Sequence, residues 1–152
     1  MPTKKLVVDS CIFIKLFLDE GDQEKAVKFF KKIISNSIEV YVPEIFIYEI
    51  FNVCSLKKLD SQKILSVLNH HRKLYLQTVA LEDSLVLAAA KITENGHYKS
   101  GYPSFYDCSY HALALKEKCT FVTSDAKHFA KTKNLGCIKL FEKINPELDF
   151  FE

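Results

Sequence analysis

No run of apolar residues in this sequence approaches the ~20 that a membrane-spanning helix needs. No secretory leader is expected either. Met1-Pro2-Thr3-Lys4-Lys5 leads into only three apolar residues before Asp9. We therefore read the chain as cytoplasmic, with no membrane partner. Glycine is scarce, at 4 of 152 residues, and neither G-x-x-x-x-G-K nor G-x-G-x-x-G occurs. That argues against a loop that cradles phosphates through its backbone. Arginine is nearly missing: Arg72 is the one Arg among 21 basic residues. Phosphate contacts would fall to lysine point charges rather than to bidentate guanidinium clamps. The 5 cysteines (Cys11, Cys54, Cys108, Cys119, Cys137) include no C-x-x-C pair. A zinc cage is disfavoured, and an odd count fits reduced thiols, with one disulfide as the alternative. Ser10, Ser109 and Ser124 sit in no G-x-S-x-G elbow, which disfavours a serine hydrolase.

What is present describes one ordered domain. Apolar residues make up 48% and charged residues 26%, with a formal net charge of +2. A chain of this length buries roughly 70% of its unfolded surface. Short apolar runs at 5–8, 39–42, 74–80, 120–123 and 137–140 read as strands. Between them lie helical patterns: 11–18, a lysine-studded amphipathic stretch around 26–34, one opening at Pro43, and one capped by Asp60. In the third, Ile45, Tyr48, Asn52 and Ser55/Leu56 trace one face. Further helices carry Leu85 to Ile92, closed by a left-handed Asn95-Gly96, then Ser104 to about Lys118, and a short one over 126–131. The turn-rich segment 96–103 is expected to be the most mobile loop. Strands alternating with helices predict an α/β fold: a mainly parallel five-stranded sheet with helices on both faces. The core is expected over about 5–141, with a short C-terminal tail.

Ligands of such sheets bind beyond the carboxyl ends of the strands. Asp9 follows the first strand, Glu44 and Glu49 the second, and Asp125 the fourth. Asp107 lies in the first turn of the helix that precedes the fourth. Converging carboxylates repel one another, and desolvation makes this worse. A cation relieves both costs, and an all-oxygen donor set suits Mg²⁺ or Mn²⁺ better than zinc.

In these residues the chain resembles the PIN-domain family, in particular the VapC-like toxins of VapBC toxin–antitoxin pairs. That family carries an Asp at the end of strand one, a helical Glu after strand two, an Asp opening a Y-D-x-x-Y-like helix and an Asp ending a T-x-D strand. Asp9, Glu49, Asp107 and Asp125 match in order, with Ser10, Asn52, Tyr106, Tyr110, Ala112, Ala114 and Thr123 as flanking markers. Cys11 and Cys108 are mild departures. The resemblance implies a PIN-like fold and a metal-dependent ribonuclease. It implies Asp9 and Asp125 as primary ligands of Mg²⁺ or Mn²⁺, and Glu49 and Asp107 as ligands or orienters of metal-bound water. Ser10 and Thr123 would steady the carboxylates. It further implies an RNA substrate, a homodimer and, for a toxin, a cognate antitoxin protein. Lys15, Lys116 and Lys127, with Lys99 and Lys131, are candidate substrate contacts around the crevice. Tyr98, Tyr102, Phe105 and Tyr106 are candidates for base stacking, and Phe46/Phe51 and Ile64/Leu68 for partner contacts. With the four acids counted as ligands, the remaining surface carries about +6.

Each acid also has a plainer reading. Asp9 and Asp125 can cap the helices that follow them, Asp107 can complete a capping box, and Glu44 can complement a helix dipole. His70 and His71 are favourable cations at a helix end, while His111 and His128 are structural or lie near substrate. Two other functions compete with the nuclease reading. One is a non-catalytic PIN-fold scaffold that binds RNA or assembles complexes. The other is a phospho-receiver domain, for which Asp83 would have to serve as the acceptor.

Overall fold

The structure is a computed structural model and describes residues 3–148. Strands β1 (Lys5–Val8), β2 (Glu39–Pro43), β3 (Leu76–Val79), β4 (Thr120–Thr123) and β5 (Ile138–Leu140) form one parallel sheet in the order β3-β2-β1-β4-β5. Helices α1 (Ser10–Ile14), α2 (Gln23–Ser35), α3 (Ile45–Leu56), α4 (Ser61–Leu74), α5 (Asp83–Ile92), α6 (Phe105–Glu117) and α7 (Ala126–Thr132) fill the connections. The expected α/β architecture is therefore what the chain adopts. A receiver domain would run 2-1-3-4-5, so the strand order sets that reading aside.

β1 is central and wholly apolar beyond Lys5: Leu6, Val7 and Val8 are at most 1% exposed. A strand buried on both faces is expected to be a continuous apolar run. Phe13 of α1 organises one layer, with Phe17, Phe30, Phe46 and His71 ringing it at 5.3–5.9 Å between centroids. Across the sheet, Phe121 of β4 stacks on Tyr110 of α6 and meets His128 of α7 edge-on.

Several local expectations are corrected. The first helix ends at Ile14 rather than Leu18. Leu16 and Phe17 donate to carbonyls only three residues back, so the chain leaves the α-helix in a tight turn. On α3 the Ile45/Tyr48/Asn52/Leu56 face points largely outward, with Tyr48 72% and Leu56 73% exposed. The core instead takes Phe46, Ile50 and Cys54. Phe46, Ile64 and Leu68 are consumed by this chain's own core and offer nothing to a partner. His71 is buried in the last turn of α4. Burial first, then the charge of His70, lowers its pKa to about 4, so it packs as a neutral ring and not as a dipole-complementing cation. The core also runs past its expected end, because Phe141 and Ile144 are both buried.

Asn95-Gly96 does not end α5 in the left-handed way. The helix stops at Ile92, and Gly96 is not among the glycines with positive φ. The glycine is needed for space: a Cβ there would lie 2.6 Å from the Gly101 carbonyl oxygen and 2.8 Å from the Tyr102 Cα. This close approach pairs His97 with Gly101 through two backbone hydrogen bonds and ties off the 96–103 loop. Gly96→Ala should therefore lower the melting temperature by several degrees, since backbone must move. Gly21→Ala meets no neighbouring atom, carries only the cost of its positive φ of 88°, and should cost about 1 kcal/mol or less. Thermal melts of the two variants check the ranking.

Candidate active site

The order β3-β2-β1-β4-β5 reverses direction between β1 and β4, and open α/β sheets carry their crevice at such a switch point. Asp9 follows β1 and Asp125 follows β4, one on either side of it. The parallel register pairs Val8 with Val122, and Asp9 N–H donates to the Val122 carbonyl at 3.0 Å. Thr123 Oγ1 then donates to Asp9 Oδ2 at 2.7 Å and accepts from Asp125 N–H at 3.0 Å. One buried hydroxyl thus links the two strand tips. Asp9 Oδ1 accepts from Ser10 Oγ and from Cys11 N–H, each at 3.4 Å. Asp125 Oδ1 accepts from His128 N–H at 2.9 Å. Both acids therefore cap helices and also face the crevice, so capping does not preclude a ligand role.

Helices supply the other two acids. Asp107 sits one turn into α6, where its N–H donates to Ser104 Oγ at 3.1 Å. The Ser104 hydroxyl donates in turn to Asp107 Oδ2 at 3.1 Å. Three residues on, and so on the same helix face, Tyr110 OH donates to Glu49 Oε1 of α3 at 2.6 Å. The four carboxylates line one cleft of about 420 Å³, together with Ser10, Cys11, Asn52 and Ser124. Asn52 follows Glu49 at helical i, i+3 spacing. Tyr110 was visible in the sequence as a marker, but its partner across the fold was not. Ser124 entered the sequence reading only as a serine outside any nucleophile elbow; its Oγ is buried against the cleft without a hydrogen-bond partner.

The electrostatics are those of an acid cluster. Burial pushes the Asp9 carboxyl up, against the Thr123, Cys11 and Ser10 hydrogen bonds that pull it down. Burial likewise raises Glu49, partly offset by Tyr110 and helped by the charge of Asp9. Asp107 is raised to about 7 by burial, then by the charges of Asp9 and Asp125. Burial and the neighbouring Asp9 also push the Cys11 thiol well above its ordinary range, which removes it as a nucleophile.

The donor set suits a hard cation. It is all oxygen, mutually repelling, half-buried, and backed by an orphan hydroxyl. Among the described residues no three acid, imidazole or thiol groups stand close enough together to hold a metal ion by themselves. An open arrangement fits Mg²⁺, which is commonly held by one or two carboxylates and keeps several waters.

The basic candidates separate. Lys15 is committed to Asp22 at 2.5 Å and lies over the Phe141 ring. Lys116 is nine residues beyond Asp107 on α6, roughly 13 Å along the axis at 1.5 Å per residue, and does not line the cleft. Lys127 and Lys131 line a depression beside α7, the helix that Asp125 caps. Lys99 lies over the Tyr98 ring. The aromatic candidates divide as well. Tyr98 packs on His97, whereas Phe105 and Tyr106 join Tyr48 at a groove beside the cleft. His111 and His128 are in the interior and do not line the cleft. His111 Nε2–H donates to the Gly136 carbonyl at 2.8 Å, and the two rings lie 5.5 Å apart. Asp83 starts α5, exposed and away from the acids.

A raised Asp107 pKa sets a stability difference with a definite sign. Its ionisation costs the metal-free fold stability. That cost is absent below the ordinary value of 3.8 and complete above about 7. In metal-free buffer, Asp107→Asn should melt several degrees higher than the parent at pH 8. The gap should close as pH falls toward 4. Paired thermal melts across this range check it.

The family model described as PIN domain matches residues 6–135. No curated protein matches the chain by sequence. Among solved structures, it is similar to VapBC2 from Rickettsia felis bound to a promoter DNA fragment. The identity is 15% over 90% of this chain and 98% of that one, with a TM-score of 0.68. FitAcB from Neisseria gonorrhoeae is 16% identical over 93% and 98%, at 0.61. VapC20 of Mycobacterium tuberculosis, a sarcin–ricin loop cleaving toxin, is 12% identical over 74% and 83%, at 0.59. Identities this low speak for the fold alone, but the family match covers most of the chain and agrees with the strand order and the four acids: the chain belongs to the PIN-domain family.

Proposed function

We propose that this protein is a Mg²⁺- or Mn²⁺-dependent endoribonuclease that hydrolyses RNA phosphodiester bonds, and that it is the toxin of a toxin–antitoxin pair acting in the cytoplasm. The observation that carries the catalytic reading is the convergence of Asp9, Glu49, Asp107 and Asp125, from four separate segments, on one cleft at the switch point. A scaffold that only binds has no use for acids whose mutual repulsion weakens the fold. The toxin reading is supported by the VapC and toxin–antitoxin structures that share this fold. From the family resemblance we further propose a homodimeric state and a cognate antitoxin whose segment blocks the acidic cleft, the partner being supported by the toxin–antitoxin complexes that share the fold. No helix among the described residues is long and apolar enough to cross a membrane.

Asp9 and Asp125 would be the primary metal ligands, with Glu49 and Asp107 binding the ion or orienting its waters. When bound, the ion supplies a water of lowered pKa and neutralises charge on the scissile phosphate. Thr123 fixes Asp9 and the backbone of Asp125 together, so the two carboxylates keep their separation. Ser10 restrains the second oxygen of Asp9. Tyr110 OH aims the Glu49 carboxylate through a short hydrogen bond to Oε1, with Ser10 as a second, weaker partner. Asp107, raised to about 7, is only partly ionised at neutral pH and would give up its remaining proton on binding a cation. Such partners of ligands typically matter by 10–100-fold.

Asp9→Asn should abolish Mn²⁺-dependent cleavage of single-stranded RNA while keeping or raising the melting temperature. Unchanged turnover in a folded variant would sink the catalytic assignment. Tyr110→Phe should cut kcat by about 10-fold or more with KM little changed. For the toxin reading, expression of the chain should arrest growth of its host. Co-expression of the gene immediately upstream should relieve the arrest, and Asp9→Asn should be harmless alone.

A further inference from the structure

Beside the acid cleft lies a second, smaller groove of about 210 Å³ with almost wholly apolar walls. Its floor is Pro43 at the end of β2 and Leu81 after β3, and its rim carries Tyr48, Phe105 and Tyr106. These three rings are 72%, 36% and 59% exposed. Among the described residues none of them packs against another aromatic ring. The groove shares no lining residue with the cleft but adjoins it along the chain, since Tyr48 directly precedes Glu49 and Tyr106 directly precedes Asp107. On each of two helices an aromatic residue of the groove is therefore the chain neighbour of an acid of the cleft. Glu44 stands at the same rim. It is exposed and makes no side-chain capping hydrogen bond although it occupies the N-cap of α3.

We propose that this groove is a nucleobase subsite. In it the base of the nucleotide next to the scissile bond stacks on Tyr48 and Tyr106, and the Glu44 carboxylate reads the base's hydrogen-bonding edge. This rests on the ribonuclease reading above. The chemistry of the rim supports it. Single-stranded RNA is held by aromatic stacking at about 1–3 kcal/mol per base, while edge donors are read by fixed acceptors. A neutral, flat base matches an apolar groove where a phosphate would not. One carboxylate can accept from both N1–H and N2–H of guanine, whereas uracil offers it only N3–H. The subsite therefore favours guanine. Two other grooves fit less well. That between α5 and α6 carries no aromatic ring on which a base could stack, and that beside α7 is lined by Lys127 and Lys131, which suit a backbone phosphate.

The test separates binding from chemistry. Short labelled oligoribonucleotides with G, A, C, U or an abasic site at one position are titrated into Asp9→Asn protein by fluorescence anisotropy. The same set is given to the active parent with Mn²⁺ for cleavage. The G oligonucleotide should bind tightest and the abasic one roughly 5- to 150-fold more weakly. Tyr48→Ala and Tyr106→Ala should each weaken G binding within that range, add little to the abasic penalty, and keep the parent's melting temperature. Glu44→Gln should level G against U. Equal affinity for all five oligonucleotides overturns the subsite even if the parent cleaves RNA. Base-dependent binding without any cleavage leaves the subsite standing and removes the nuclease reading. If Tyr48→Ala and Tyr106→Ala instead convert a dimer to a monomer on sedimentation with RNA affinity unchanged, the groove belongs to a second copy and the subsite is overturned.

Discussion

The hydrogen bond from Thr123 Oγ1 to Asp9 Oδ2, 2.7 Å long and fully buried, is the contact on which the site's geometry depends. It exists because β1 and β4 are adjacent, parallel and in a register that brings Val8 beside Val122. A slip of one residue would turn Thr123 to the other face of the sheet. The same hydroxyl accepts from Asp125 N–H, so one side chain sets the position of two acids 116 residues apart in sequence. Burial makes this bond more than ornamental. A carboxylate as deep as Asp9 without donors would lie uncompensated in a poorly hydrated interior.

The opposing term is repulsion. Burial and neighbouring charge raise Asp9, Glu49 and Asp107 together, and the fold supplies only hydroxyls and backbone N–H groups against them. Among the described residues no lysine forms an ion pair with any of the four. Lys15 is close in sequence to Asp9 but is held on Asp22. The cluster is left short of positive charge in a cleft open to solvent. That is the arrangement expected where a mobile divalent cation completes the electrostatics.

The strands and the four acids were legible in the sequence because each depends on local pattern. Apolar runs that end at an acid place Asp9 and Asp125, and the Ser104 cap fixes Asp107 one turn into α6. What was not legible depends on distance across the fold. The Tyr110–Glu49 bond joins residues 61 apart. Lys116 shares a helix with Asp107, yet the antiparallel run of α6 against the sheet carries it away from the cleft. The sequence traces a Tyr48/Leu56 face on α3 without saying whether it is buried, because both faces are apolar and periodicity alone does not choose between Tyr48/Leu56 and Phe46/Ile50. Gly96 looked like a helix stop, and only the packing against Gly101 and Tyr102 shows that it serves close approach.

The central claim is that the four carboxylates form one site for a divalent cation. Calorimetric titration of Mn²⁺ into the metal-free protein tests it most directly. The account predicts saturable binding of one or two ions per chain, lost in Asp9→Asn and weakened in Asp107→Asn. No saturable binding by the folded parent, or equal binding by Asp9→Asn, would contradict it.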